Sequence, residues 1–260
     1  MSRTSTSWAP GALAPRPGAA PLPRMLAAQT VAELKLVLRN GEQVLLSLVI
    51  PLGLLVVLVT VPFIPVDGPR ADFFVPGVLA LAVMSTAFTG QAIGVGFERQ
   101  YGVLKRLGAT PLPRSVLLLA KTLAVLAVEL LQVVLLSAVG LALGWDPRGN
   151  VVAVIALVVL GTAAFSGLGL LLGGTMRGLT VLAAANLLWF VLLVLGGVVF
   201  PISAFGAAEP VLELLPTAAL SSGLRDVLVD GVGLPLQSFV VLAVWAVLSL
   251  GAASRLFRWE

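Results

Sequence analysis

The sequence predicts an all-α polytopic membrane protein: an N-terminal amphipathic interfacial helix, then six transmembrane helices, with the N- and C-termini cytoplasmic. Three observations carry that reading. Of 260 residues, 59% are hydrophobic and 11% charged. A soluble domain carries about 25% charged residues, so lipid must be the solvent for most of this chain. Six apolar tracts recur, each near the roughly 20 residues that cross a bilayer as a helix. Finally, the basic residues sort to one side once these tracts are threaded through a membrane.

Residues 1–23 are rich in Pro, Ala, Gly, Ser and Thr and lack an apolar run long enough for a signal-peptide core. They read as a disordered cytoplasmic tail. Residues 24–42 set Leu26, Val31, Leu34, Val37 and Leu38 at helical spacing, with Gln29, Glu33, Lys35 and Arg39 between them. That is the pattern of a helix lying in the membrane interface. Residues 43–260 form the transmembrane domain. Its tracts are about 44–63, with Pro51 as an expected kink, then 73–97, 116–143, 151–175, 179–200 and 236–257. The longest spacer, 201–235, lies before the last tract.

With the N-terminus inside and six crossings, all but three of the 16 basic residues fall on the cytoplasmic side. The exceptions are Arg70, Arg148 and Arg225. An odd number of spans would move Arg255 and Arg258 outside and spoil the asymmetry. The chain therefore reads as a multi-pass protein of the cell membrane.

The composition also excludes chemistry. There is no cysteine, so disulfides, thiolate metal sites and cysteine catalysis are out. There is no histidine, the commonest metal ligand and general base. No metal site is expected. Net charge is only +4, with no arginine-rich run or aromatic-interleaved basic stripe to meet nucleic acid.

One charged insert interrupts the apolar tracts, "FERQYGVLKRLGATPLPR" from Phe97 to Arg114. At 100° per residue, Val103, Leu104 and Leu107 share one side of a short helix. Glu98, Arg99, Lys105 and Arg106 lie on the other. An early glutamate and later basic residues suit the helix dipole. Gly108 can end the helix, and Pro111 and Pro113 force an extended elbow before the third tract. A loop that merely anchored topology would account for the charges, but not for the apolar face or the Pro-x-Pro exit. The insert points to a cytoplasmic partner.

These residues, followed by "LLLAK", resemble the cytoplasmic signature of ABC-2 type transporter permeases. Glu98, Arg99, Gly102, Leu104, Leu107, Thr110, Pro111 and Lys121 fill the matching positions, while Gln100 replaces a second glutamate often found there. The resemblance extends to the amphipathic N-terminal helix, the six tracts, and "VVFPISAF" and "ELLPTAALSSGLRDVL" before the last tract. It implies that 98–109 is a coupling helix docking into a groove of a separate ATPase subunit, through Glu98, Arg99, Gly102, Val103, Leu104, Lys105, Leu107, Thr110 and Pro111. It also implies that 201–235 is an outer-leaflet gate region including Pro201, Pro216 and Arg225. Two ATPase subunits and a second permease, the same chain or a related one, would complete the complex. This chain has no phosphate-binding loop of its own: Lys121-Thr122 follows Leu-Leu-Leu-Ala, which cannot wrap phosphates. It is expected to be a non-catalytic subunit without a bound cofactor, with ATP and magnesium on the partner. An exported substrate would be an amphipathic drug, antibiotic or lipid-like molecule.

Glu129 and Gln132 lie within the third tract and Asn186 within the fifth. An intramembrane carboxylate costs about 2.5–3.5 kcal/mol on insertion scales, so it marks either a translocation path or an interhelical bond. Both readings stay open for Glu129. Glycine pairs Gly90/Gly94, Gly140/Gly144 and Gly169/Gly173 permit close helix crossings. Two readings from other classes are an ion-coupled secondary transporter using Glu129 and a non-transporting membrane scaffold. The former calls for internal repeats, and none is found.

Overall fold

Two prolines open the first helix. Pro21 precedes α1 (Leu22–Arg39), and Pro23 sits in its first turn, where a missing N–H costs nothing. A computed structural model describes residues 19–62, 64–66, 68–176 and 178–257. Most of the tail expected to be disordered, residues 1–18, lies outside these, as does Arg177. Among the described residues every regular element is helical.

The helix α2 (Gly41–Thr60) contains Pro51. A continuous rod follows from Arg70 to Gln100. It comprises α3 (Arg70–Met84), a π-helical segment (Ser85–Gly90) and α4 (Gln91–Gln100). Then come α5 (Val103–Gly108), α6 (Arg114–Ala142), α7 (Val151–Thr175) and α8 (Gly178–Leu195). A 3-10 segment (Ile202–Ala208), α9 (Glu209–Leu212) and α10 (Pro216–Leu228) precede α11 (Leu236–Leu256). Five helices are long and apolar enough to cross a membrane: the Arg70–Gln100 rod, α6, α7, α8 and α11. In α2 the apolar stretch Ser47–Thr60 is shorter.

Small residues let α7 sit at the centre. A Cβ on Gly169 would lie 2.6 Å from the Phe88 carbonyl oxygen, and one on Gly173 would lie 2.6 Å from that of Ala92. The Gly169/Gly173 pair thus seats α7 directly on the π segment and α4, the close backbone approach that drives helix association in lipid. Neither other pair acts this way. Gly94 faces open space, and so does Gly144, which ends α6 with a positive φ.

Helix C-termini leave carbonyls without partners, costly where water is scarce. Arginines supply the missing donors. Arg70 reaches back to the carbonyls of Val59 (3.2 Å) and Val61 (2.7 Å) at the end of α2. Arg99 donates to Gly174 (3.0 Å) at the end of α7, and Arg114 to Phe257 (3.3 Å) beyond α11. Arg225 donates to the carbonyls of Gly197 and Phe73 and lies over the Phe73 ring at 4.1 Å. Arg99 and Arg114, which belong to the basic set read as a topology signal, thus also cap helix ends, as does Arg70, one of the exceptions to that set.

The fifth tract was expected to run to Phe200, but α8 ends at Leu195. Gly196 and Gly197 turn the chain there, and Gly197 has φ 70°, a conformation that favours glycine. Beyond it, 201–235 folds into short helices, with Pro201 and Pro216 each starting one.

Candidate functional site

The insert between the second and third tracts folds differently from its expected outline. Instead of one helix over 98–109, α4 carries on through Gln100, so Glu98 and Arg99 belong to the end of the long rod. Gly102 breaks it with φ 72°, and α5 starts afresh at Val103. Thr110 Oγ1 donates to the Leu107 carbonyl at 2.6 Å and closes the exit turn, before Pro111 and Pro113 lead into α6.

The apolar face is also turned. Leu104, expected to meet a partner, is fully buried against its own chain with Val95, Leu117, Leu170 and Phe257. Leu107 packs on the edge of the same cluster. Burying a leucine contributes about 1.5–3 kcal/mol, so this face rivets α5 to the bundle. What α5 presents outward is Val103, with Lys105 and Arg106 and the preceding Tyr101, which is 69% exposed.

Glu98 and Arg99 face inward too. Lys121, two turns into α6, donates to Glu98 at 2.7 Å and to Glu33 of α1 at 2.9 Å. Glu33 also accepts from Gln29 at 2.7 Å. The sequence placed Glu33 among the polar residues of an interfacial helix, but here it is the buried anchor of α1 on α6. Two carboxylates around one ammonium gather α1, α4 and α6 at the end of the bundle that carries α5.

The intramembrane polar residues separate into two groups. Glu129 is completely buried and accepts from Thr162 of α7. It lines neither of the two cavities described below, so the geometry is that of an interhelical bond. Gln132 accepts from Thr86 at 3.1 Å and donates to the Ser47 carbonyl at 2.9 Å, tying α6 to the π segment and α2. Trp189 of α8 donates to Ser85 at 2.8 Å. The π segment is therefore a polar junction of three helices, in keeping with the enrichment of such segments at functional sites.

Beside that junction, between α2, the π segment and α8, runs a cleft of about 740 Å³. Asn186 lines it, together with Asn40, Ser47, Ser85, Thr86 and Thr89. Its walls are otherwise apolar, with Ile50, Leu54, Ile93, Leu182 and Trp189. An apolar chamber with a few polar groups is the usual form of a small-molecule site. A smaller cavity of about 170 Å³ adjoins it and reaches the Glu33–Lys121–Glu98 cluster.

Residues 26–229 match the ABC-2 type transporter family, a span that includes α5, the Glu33–Lys121–Glu98 cluster and the cleft. The chain belongs to that family. A search of curated proteins returns no match. For an ABC-2 transporter this places α5, the Lys121 cluster and the cleft within the membrane subunit of a transport system. Sequence reasoning missed the Glu33–Lys121 pair and the serine and threonine residues of the π segment. An ion pair across 88 residues of chain has no local signature. A π turn has none either: its extra residue shows only as a shift in which side chains share a face.

Proposed function

We propose that this chain is the permease subunit of an ABC exporter of the multidrug-resistance kind, moving amphipathic drugs, antibiotics or lipid-like molecules. ATP and magnesium bind a separate ATPase, present in two copies, and a second permease, identical or related, completes the pore. The observation that carries the reading is the mechanical linkage of α5. It exposes Val103, Lys105 and Arg106, beside the exposed Tyr101, while Leu104 fastens it to α4, α6, α7 and the end of α11. A push on that exposed edge moves the inner ends of several spans as one body.

The cleft lies where such a motion would be felt, because the π segment forms its wall and continues directly into α4. Its apolar walls and scattered polar groups suit an amphipathic guest. The exposed apolar side of α8, with Leu187, Leu188 and Phe190, suits a second membrane subunit facing the cleft. At the other end, Pro201, Pro216 and Arg225 organise short helices that serve as an outer gate. Six spans with both termini cytoplasmic place α5 against the ATPase.

Co-expression with candidate ATP-binding subunits of the same genome, followed by ATP-dependent dye accumulation in inside-out vesicles, tests the function. No ATPase co-purifying under any pairing, or dye movement without ATP, overturns it. Orientation is tested with single cysteines, since the chain has none. Ser115→Cys and Ser254→Cys are expected to resist an impermeant thiol reagent in intact cells, and Ser203→Cys to react. All three native serines are exposed in the structure.

A further inference from the structure

The small cavity beside Lys121 has a chemistry of its own. It is a recess of about 170 Å³ bounded by Glu33, Gln91, Glu98 and Lys121. With two carboxylates and one ammonium, its charged groups sum to one net negative charge. Their bonds are unevenly shared. Both oxygens of Glu33 are engaged, one by Gln29 and one by Lys121. Glu98 gives one oxygen to Lys121, and its Oε2 has no hydrogen-bond partner among the described residues. Gln91, only 6% exposed, donates to Ser166 at 2.7 Å, but its own Oε1 is also without a partner. A buried acceptor left without a hydrogen bond is costly, so two at one recess call for a donor.

The recess is open by construction. Gln91, Gly94 and Glu98 recur at helical spacing along one side of α4. Between these two residues on α4, Gly94 leaves a space with no heavy atom within 4 Å of where a Cβ would stand. The recess and the larger cleft share Val37, Thr86, Gly90 and Val128 in their linings, so they adjoin. One chamber is broad and apolar. The other is narrow, acceptor-rich and negative.

We propose that the two cavities form one binding site for a lipophilic amine, whose apolar body fills the cleft and whose protonated nitrogen enters the recess and donates to Glu98. This inference rests on reading the cleft as the substrate path, and adds the substrate's charge class. An anion would meet two carboxylates there. A neutral hydroxyl can donate to the Glu98 oxygen but leaves the negative charge of the recess unbalanced. Lys121 keeps the site selective: it neutralises one carboxylate's worth of charge, so a monocation balances the rest. The nitrogen end would sit beside the cluster that joins α1, α4 and α6, where its presence is felt by the rod leading to α5.

Three probes with one apolar body separate the claims: pyrenebutylamine, pyrenebutanol and pyrenebutyrate. Binding is measured by pyrene fluorescence on the purified full chain in phosphatidylcholine nanodiscs, whose uncharged surface does not favour the cation. The amine is expected to bind at least about tenfold more tightly than the alcohol, a difference near 1.4 kcal/mol, and the butyrate most weakly. Glu98→Gln is expected to abolish the amine's preference over the alcohol. Because Glu98 also holds Lys121, Gly94→Leu supplies an independent arm. It fills the recess without removing a charge and is expected to abolish the same preference. Monodisperse elution of each variant shows that it folds. Equal binding of all three probes, or an amine preference that survives both variants, overturns the amine site while leaving the cleft standing. If no probe binds, or if lipid or a second copy of the chain occupies the cleft and excludes all three, the cleft reading falls and the amine site with it.

Discussion

Lys121 and Glu98 lie 2.7 Å apart, joining the first turns of α6 to the last turn of α4. Lys121 is 6% exposed and holds Glu33 as well, so its loss would leave two carboxylates facing each other out of water. Breaking a buried pair from one side costs about 3–5 kcal/mol. Lys121→Met is expected to lower the thermal unfolding midpoint sharply in detergent. The triple variant Glu33→Gln, Lys121→Met, Glu98→Gln is expected to recover much of the loss. A Lys121→Met protein as stable as the parent would mean that the cluster does not bind α1 to the bundle.

Leu104 and Val103 are neighbours with opposite orientations. Leu104→Ala removes a fully buried side chain and is expected to destabilise the protein by about 2–5 kcal/mol. Val103→Asp, on the exposed edge, should leave stability near the parent's while reducing recovery of a co-purified ATPase. The opposite assignment, with Val103→Asp unfolding the chain and Leu104→Ala merely uncoupling it, would show that α5 is turned the other way in the complex.

Glu129 accepts from Thr162 inside the bundle. Interhelical hydrogen bonds in membranes contribute about 0.6 kcal/mol on average. Glu129→Gln keeps an acceptor and is expected to transport like the parent. Thr162→Val in that background should change stability little further. A loss of transport in Glu129→Gln with unaltered stability would restore Glu129 to the path.

Gly173 meets the Ala92 carbonyl oxygen. Gly173→Ala forces α7 away from α4, and overpacking costs about 1–3 kcal/mol. Gly251→Ala, where the added methyl meets nothing within 4 Å, is the matched control. Thermal midpoints of the two should differ by several degrees. Equal midpoints would remove the Gly169/Gly173 contact from the account of the fold.

Arg225 and Asp226 differ in how burial treats them. Burial pushes the Arg225 guanidinium down to about 10, with Asp226 acting the other way, so it stays charged at neutral pH. Asp226 is raised, first by burial and then by Asp230, with Arg225 opposing. A carboxyl whose folded pKa lies above its unfolded one binds more protons when folded. It therefore favours the folded state below that range and weighs against it as pH rises through it. Asp226→Asn is expected to leave stability at neutral pH equal or higher and to weaken its gain on mild acidification. Arg225→Lys, which cannot keep both the Gly197 and Phe73 carbonyls, should destabilise. A stability loss in Asp226→Asn at neutral pH would contradict this balance.

Composition determined that this chain is a membrane protein, because a surface without enough charge cannot meet water, and apolar tracts near 20 residues made it helical. Tract lengths placed the long helices to within a few residues, since apolar runs and their Gly and Pro boundaries are local. The Phe97–Arg114 motif was legible for the same reason. Three things were decided only by tertiary structure. The apolar edge of α5 was legible as a stripe, but a wheel cannot say whether a stripe faces its own bundle or a partner, and Leu104 faces its own. Glu33 and Lys121 look like interfacial charges one at a time; packing α1 on α6 makes them one buried cluster. Glu129 and Asn186 read alike as intramembrane polar residues. Helix rotation decides between them, turning Glu129 onto Thr162 and Asn186 into the cleft, because the neighbours that fix rotation come from distant parts of the chain.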